Sequence, residues 1–206
     1  MVSRGEKIGV LGGSFAPVHH AHLWVASFIR ERFSMQQVVF VPSRYHPFKG
    51  LLHDAEHRWQ MLQLAIAGEE GFSLSAVEIN GKQTAYTYDT MLRLQEKWPD
   101  CELYFILGSD ILGEVALWHR GEELLRDFHV IGVGRNEEDV IQLIREDDLL
   151  SRYRHRICPV NAPFAFDLSS SFIRARLRQG MTIHSLVPPA VENYLRQHRL
   201  YLSDDE

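Results

Sequence analysis

Lys7-Ile8-Gly9-Val10-Leu11-Gly12-Gly13-Ser14-Phe15-Ala16-Pro17-Val18-His19-His20-Ala21-His22-Leu23 decides the fold and locates the chemistry. The apolar run Ile8 to Leu11 reads as a short buried strand. Glycines and a proline then turn the chain and deliver His19 and His22 to what reads as the first turn of a helix. Strand, glycine turn and helix N-terminus together make an anion site, because free backbone N–H groups and the positive end of the helix dipole converge there. Phosphate is the expected guest. Residues three apart share a helix face, so His19 and His22 can point at the same phosphate. The stretch is neither the G-x-x-x-x-G-K-[ST] of a P-loop nor the G-x-G-x-x-G of a dinucleotide fold.

Working outward, apolar runs at Val38 to Val41, Leu103 to Leu107 and Val130 to Val133 read as further buried strands. Helical stretches are expected over His20 to Arg32, Ala55 to Ala67 and Tyr88 to Lys97. Such alternation predicts an α/β fold: a Rossmann-like parallel sheet joined by right-handed crossovers, with helices on both faces. Phe72 to Ile79 alternates less cleanly, as a further strand, and ends in the turn signal Asn80-Gly81. In the last third, Ser169 to Arg178 and Ala190 to Gln197 read as a small helical C-terminal segment, the second helix announced by Pro188-Pro189. One domain over residues 1–206 is expected, with 203–206 as a frayed acidic tail.

Composition narrows the class. A net charge of −5 argues against a dedicated nucleic-acid binder, and the basic run Arg152, Arg154, His155, Arg156 reads as a solvated strand edge or loop. Cys101 and Cys158 lie far apart without metal-ligand spacing, so reduced thiols in a cytoplasmic setting are expected. No apolar run approaches bilayer length and no cleavable signal precedes the first strand, so no membrane partner is expected. His19, His20 and His22 lack a carboxylate at ligand spacing and the H-E-x-x-H pattern is missing, so no protein-held metal is expected.

In a parallel sheet, ligands bind beyond the carboxyl ends of the strands. There the first strand releases the histidine turn, the second Pro42, Arg44, His46, Pro47 and Lys49, the fourth Gly108-Ser109-Asp110, and the fifth Gly134-Arg135. A second anion site is expected at Asp167-Leu168-Ser169-Ser170-Ser171-Phe172-Ile173-Arg174. Its serines can cap a helix or offer hydroxyl donors, and Arg174 shares a face with Ser170 one turn on. On their own, Trp118 would be a core aromatic and Asp110 a turn or N-cap residue.

Gly12 to Leu23 resembles the G-G-x-F-D-P-x-H-x-G-H signature of the nucleotidyltransferase superfamily, with Ala16 in place of the usual Asp and Ala21 in place of the Gly between the histidines. Leu168 to Arg174 is similar to the second signature of that superfamily, I-S-S-T-x-I-R, with Leu168 in place of Ile and Ser171 in place of Thr. Val41-Pro42 through Lys49, Tyr86-Thr87-Tyr88-Asp89-Thr90, Phe105 to Asp110, Trp118 with Leu124-Leu125, and Leu186-Val187-Pro188 with Tyr194 to Tyr201 resemble marks of the bacterial nicotinate-nucleotide adenylyltransferases. The resemblance runs nearly end to end. It implies adenylyl transfer from ATP, accompanied by Mg²⁺, to nicotinate mononucleotide, with His19, His22 and Arg174 catalytic. ATP would be held by Gly12, Gly13, Ser14, Phe15, His22, Gly108, Asp110, Arg135, Ser170, Ser171 and Arg174. The mononucleotide would be held by Ser14, Lys49, Tyr86, Thr87 and Trp118. Nicotinamide mononucleotide or another phosphate monoester is the alternative acceptor. A non-catalytic nucleotide-binding protein on the same scaffold is the alternative class, motivated by Ala16 and Ala21.

Overall fold

Side chains on successive strand residues point to opposite faces, and here both faces are covered. In the computed structural model, which describes residues 5–46, 50–51, 55–80, 86–134, 137–161 and 168–202, the chain runs as follows. First come β1 (Lys7–Gly13), α1 (His20–Arg32), β2 (Gln37–Pro42), β3 (Tyr45–His46), β4 (Gly50–Leu51), α2 (Ala55–Ala65), β5 (Phe72–Leu74) and α3 (Thr87–Lys97). Then come β6 (Glu102–Gly108), α4 (Ser109–Leu112), α5 (Gly121–Asp127), β7 (His129–Gly134), α6 (Glu137–Glu146), α7 (Asp148–Arg152), β8 (Ile157–Asn161), α8 (Ser170–Arg178) and α9 (Pro189–His198).

The alternation sorts the core into two layers. Ile8, Val10, Val39, Val41, Leu103, Phe105 and Leu107 pack with Met91 and Leu94 of α3, Leu124 of α5 and Val140 of α6. Leu11, Val38, Phe40, Tyr104 and Ile106 face the other way, against Ile29 of α1, Met61 and Leu62 of α2, Ile173 of α8 and Leu195 of α9. Each such side chain taken out of water contributes about 1.5–3 kcal/mol, and this burial holds the two helical layers on the sheet.

All neighbouring strands of the main sheet are parallel, in the order β5-β2-β1-β6-β7-β8. The chain therefore works outward from β1 in one direction and restarts beside it at β6. The crevice of such a sheet opens at that reversal, where β1 ends in Gly12-Gly13 and β6 ends in Gly108. The expected Rossmann-like sheet with helices on both faces is thus present, and α8 and α9 form the C-terminal helical segment.

Several boundaries differ from the sequence reading. Phe72 to Ile79 supplies a strand only as far as Leu74, and α2 ends at Ala65 rather than Ala67. β8 was not anticipated because Pro159 interrupts its apolar pattern; an edge strand tolerates a proline. α4 to α7 were also missed, being short or rich in charge. The basic run forms the end of α7 and a 3₁₀ turn before β8, where Arg152 pairs with Glu122 at 2.9 Å and Arg156 meets His129 at 3.1 Å. Among the described residues no helix is long and apolar enough to cross a membrane. Lys49, Gly81, Arg135, Asp167 and the tail 203–206 lie outside the described residues.

Candidate active site

His19 is the N-cap of α1 and His22 its third helical residue. Their rings stack, with centroids 3.6 Å apart and planes inclined by 22°. Two imidazolium ions could not share that space. Burial first, and the neighbouring His20 second, push the His19 ring down to about 4; burial and His19 hold His22 well below its usual value. Both rings are therefore neutral near pH 7.

The tautomer of His22 follows from one hydrogen bond. The His19 backbone N–H donates to His22 Nδ1 at 3.3 Å, so Nδ1 is bare and the ring proton sits on Nε2. His22 is thereby a hydrogen-bond donor, with its ring propped at 5.0 Å by the edge of buried Phe15. His19 Nδ1 is buried with no hydrogen-bond partner among the described residues. A buried ring nitrogen left in that state costs free energy that a ligand can return.

The turn between β1 and α1 is tied down from several directions. Phe15 adopts a φ of 48°, a left-handed conformation unfavourable for a bulky residue, and is held there by its burial against Phe40 and His22. The Gly13 carbonyl accepts the Ser43 N–H at 2.9 Å and the Ser14 carbonyl accepts Arg58 Nη1 at 2.8 Å. Ala16 and Pro17 offer their carbonyls to the second motif: Arg174 Nη1 donates to Ala16 at 2.7 Å and Ser170 Oγ to Pro17 at 2.9 Å. Segments more than 150 residues apart in sequence thus meet, as the separations of 158 and 153 record. Ser169 caps α8 by accepting the Phe172 N–H at 3.1 Å, and Ser171 Oγ accepts Arg174 Nη2 at 3.1 Å.

The Gly108 edge lies beside this turn, since β1 and β6 are paired. A Cβ on Gly108 would meet the Asp110 carboxylate, the far end of an exposed side chain that can swing aside. Asp110 itself is exposed, in the first turn of α4.

Tyr86, Thr87 and Trp118 gather on the other side. Tyr86 is the N-cap of α3 and Thr87 its first residue; Trp118 follows a 3₁₀ turn and packs edge-on to Phe105 at 6.2 Å. His119, which the sequence reading passed over, is the ring that meets Tyr86, with centroids 4.1 Å apart. Arg120 locks this segment down. It pairs with Asp89 at 3.2 Å and Glu123 at 2.9 Å and lies 4.1 Å over the Tyr88 ring. Gly121 is required directly after it, because a Cβ there would strike the Val115 carbonyl.

The cytidylyltransferase-like family model matches residues 10–176. Over 203 residues the chain is 40% identical to a "Probable nicotinate-nucleotide adenylyltransferase" of Carboxydothermus hydrogenoformans, covering 96% of this chain and 98% of that one. It is 35% identical over 200 residues to one of Lachnoclostridium phytofermentans, covering 96% of this chain and 100% of the relative. This chain belongs to the nicotinate-nucleotide adenylyltransferase family. A solved structure, Plasmodium falciparum nicotinic acid mononucleotide adenylyltransferase complexed with NaAD, shares the fold with a TM-score of 0.80 at 24% identity, covering 98% of this chain and 100% of that one. Within the family frame, Ala16 stands beside the histidine pair, and its carbonyl is the atom that anchors Arg174.

Proposed function

We propose that this chain joins ATP to nicotinate mononucleotide, releasing pyrophosphate and the deamido dinucleotide, as one catalytic unit over residues 1–206 in the cytoplasm. The observation that carries the reading is the neutral, stacked histidine pair at the β1–β6 crevice, with the α8 motif fastened to the same turn. The family relatives support the same acceptor.

A phosphate oxygen of the mononucleotide attacks the α-phosphorus of ATP, the bond from that phosphorus to the β-phosphate oxygen breaks, and pyrophosphate leaves. With a second pKa of about 6 the attacking phosphate is already mostly dianionic at neutral pH, so no general base is needed. The reaction needs alignment and stabilisation of charge on the phosphoryl oxygens. His22 Nε2–H, with His19 beside it, donates to the α-phosphate in the transition state. Gly12, Gly13, Ser14 and Phe15 supply the backbone around it. A guanidinium carries five N–H donors, so Arg174 can reach the β- and γ-phosphates, with Ser170 and Ser171, while holding Ala16. Mg²⁺ would come with ATP and would offset phosphate charge, while the imidazole N–H, amide and guanidinium donors of the site suit the phosphates rather than a metal. Gly108 and Asp110 take the ribose side of ATP with Arg135. Trp118 stacks on the pyridine ring, Tyr86 and Thr87 frame it, and Ser14 and Lys49 receive the mononucleotide phosphate.

The test is product identification with ATP, Mg²⁺ and a panel of nicotinate mononucleotide, nicotinamide mononucleotide and phosphopantetheine. Pyrophosphate and the deamido dinucleotide should appear one to one with the first. Turnover of another member alone would overturn the acceptor, and ATP binding without any turnover would leave a non-catalytic nucleotide-binding protein.

A further inference from the structure

Arg58 is the largest wholly buried side chain in the molecule's described part, with no solvent exposure, on a helix face otherwise made of Met61, Leu62 and Ala65. A buried cation costs folding free energy that an apolar residue of similar volume would not, so its retention calls for a reason. Its Nη1 donates to the Ser14 carbonyl at 2.8 Å. One peptide earlier, Ser43 holds the Gly13 carbonyl through its N–H at 2.9 Å and its hydroxyl at 3.4 Å. In a trans peptide the carbonyl and the following N–H point in opposite directions. Fixing the Gly13 and Ser14 carbonyls therefore aims the N–H groups of Ser14 and Phe15 away from Ser43 and Arg58.

We propose that Arg58, assisted by Ser43, is a positioning residue for adenylyl transfer: from behind the Gly13–Phe15 turn it orients two backbone N–H groups toward the triphosphate without touching substrate. Glu78 completes the arrangement. Its carboxylate accepts the Thr90 hydroxyl at 2.8 Å, and burial raises its pKa against the opposing influence of Thr90, Ser43, Arg93 and Arg58. Arginine suits the task because its planar fork fixes direction as well as charge, which a lysine ammonium does not.

This inference rests on the adenylyl-transfer reading, and the experiment separates the two. Arg58→Lys, Arg58→Met and Ser43→Ala are compared with the parent well below their thermal midpoints, by steady-state kinetics and by calorimetric titration with ATP and Mg²⁺. Arg58→Met should lose about 30-fold or more in kcat and Arg58→Lys about tenfold, with weaker ATP binding and a mononucleotide KM within about threefold of the parent. Ser43→Ala should lose about threefold to tenfold in the same parameters. A purely structural role would lower the thermal midpoint and leave kcat and ATP affinity of the folded variants unchanged, and that result would overturn the proposal. Where Arg58→Met does not fold, Arg58→Lys and Ser43→Ala decide it by the same criterion. A parent that releases no pyrophosphate with any acceptor would sink the reaction, while the ATP titration would still judge Arg58: equal affinity in parent and Arg58→Lys contradicts positioning.

Discussion

The two ends of the crevice are built differently. At the phosphate end, the Gly13–Pro17 turn is held through four of its carbonyls by Ser43, Arg58, Arg174 and Ser170, and the histidines beside it are stacked and uncharged. At the aromatic end, Tyr86 is 42% exposed and Trp118 and His119 sit on a short segment fastened mainly by Arg120. The first is backbone fixed in place before substrate arrives. The second is a set of rings at the surface. Charge stabilisation in a transition state demands prearranged dipoles, whereas recognition of a flat ring needs area and tolerates adjustment. Under the proposed function, catalysis falls to the first end and selection of the acceptor to the second.

The largest expected effect comes from His22. His22→Ala should lower kcat by about two orders of magnitude or more while leaving ATP binding comparatively intact, because the donor acts on charge that develops in the transition state. A kcat near that of the parent would remove the histidine pair from the chemistry and break the comparison at its stronger end.

Arg174 sharpens the phosphate end. Arg174→Ala should weaken ATP by about tenfold or more but AMP far less, since AMP lacks the phosphates it is proposed to contact. Equal weakening of both would mean that Arg174 acts only through the Ala16 carbonyl. Trp118 probes the other end: Trp118→Ala should raise the mononucleotide KM by about tenfold and leave that for ATP nearly unchanged, the scale of a stacking contact with its apolar burial.

The remaining effect is on stability rather than on rate or affinity. His19 is held down at about 4 in the fold against 6.5 in the unfolded chain. Below pH 6.5 the unfolded chain takes up a proton that the folded site refuses until about pH 4, so this contribution is complete above pH 6.5 and is lost as the pH falls across that window. The thermal midpoint of the parent should therefore drop more between pH 7 and pH 5 than that of His19→Asn. Equal drops would mean that His19 is not kept neutral by burial.

The phosphate end was the more legible in the sequence, and for physical reasons. Glycines, an imidazole pair and a serine-capped helix are local devices, readable from spacing, and strand alternation with their helices follows from period-two and period-3.6 burial. What escaped depends on contacts remote in sequence. Arg58 is given no role there, although it occupies the apolar phase of α2, at i, i+3, i+4 and i+7 with Met61, Leu62 and Ala65. That phase was the available signal. His119 carried none, because its partner Tyr86 lies on a different element. β8 was hidden by Pro159, which only its edge position excuses.

The division between the two ends is tested most directly by one rate, measured with ATP and nicotinate mononucleotide both saturating, for the parent, His22→Ala and Trp118→Ala. The account predicts that Trp118→Ala recovers a rate within about threefold of the parent once the acceptor saturates, while His22→Ala stays about a hundredfold or more below it. Recovery of the His22→Ala rate at saturation, or a Trp118→Ala deficit as deep as that of His22→Ala, would contradict it.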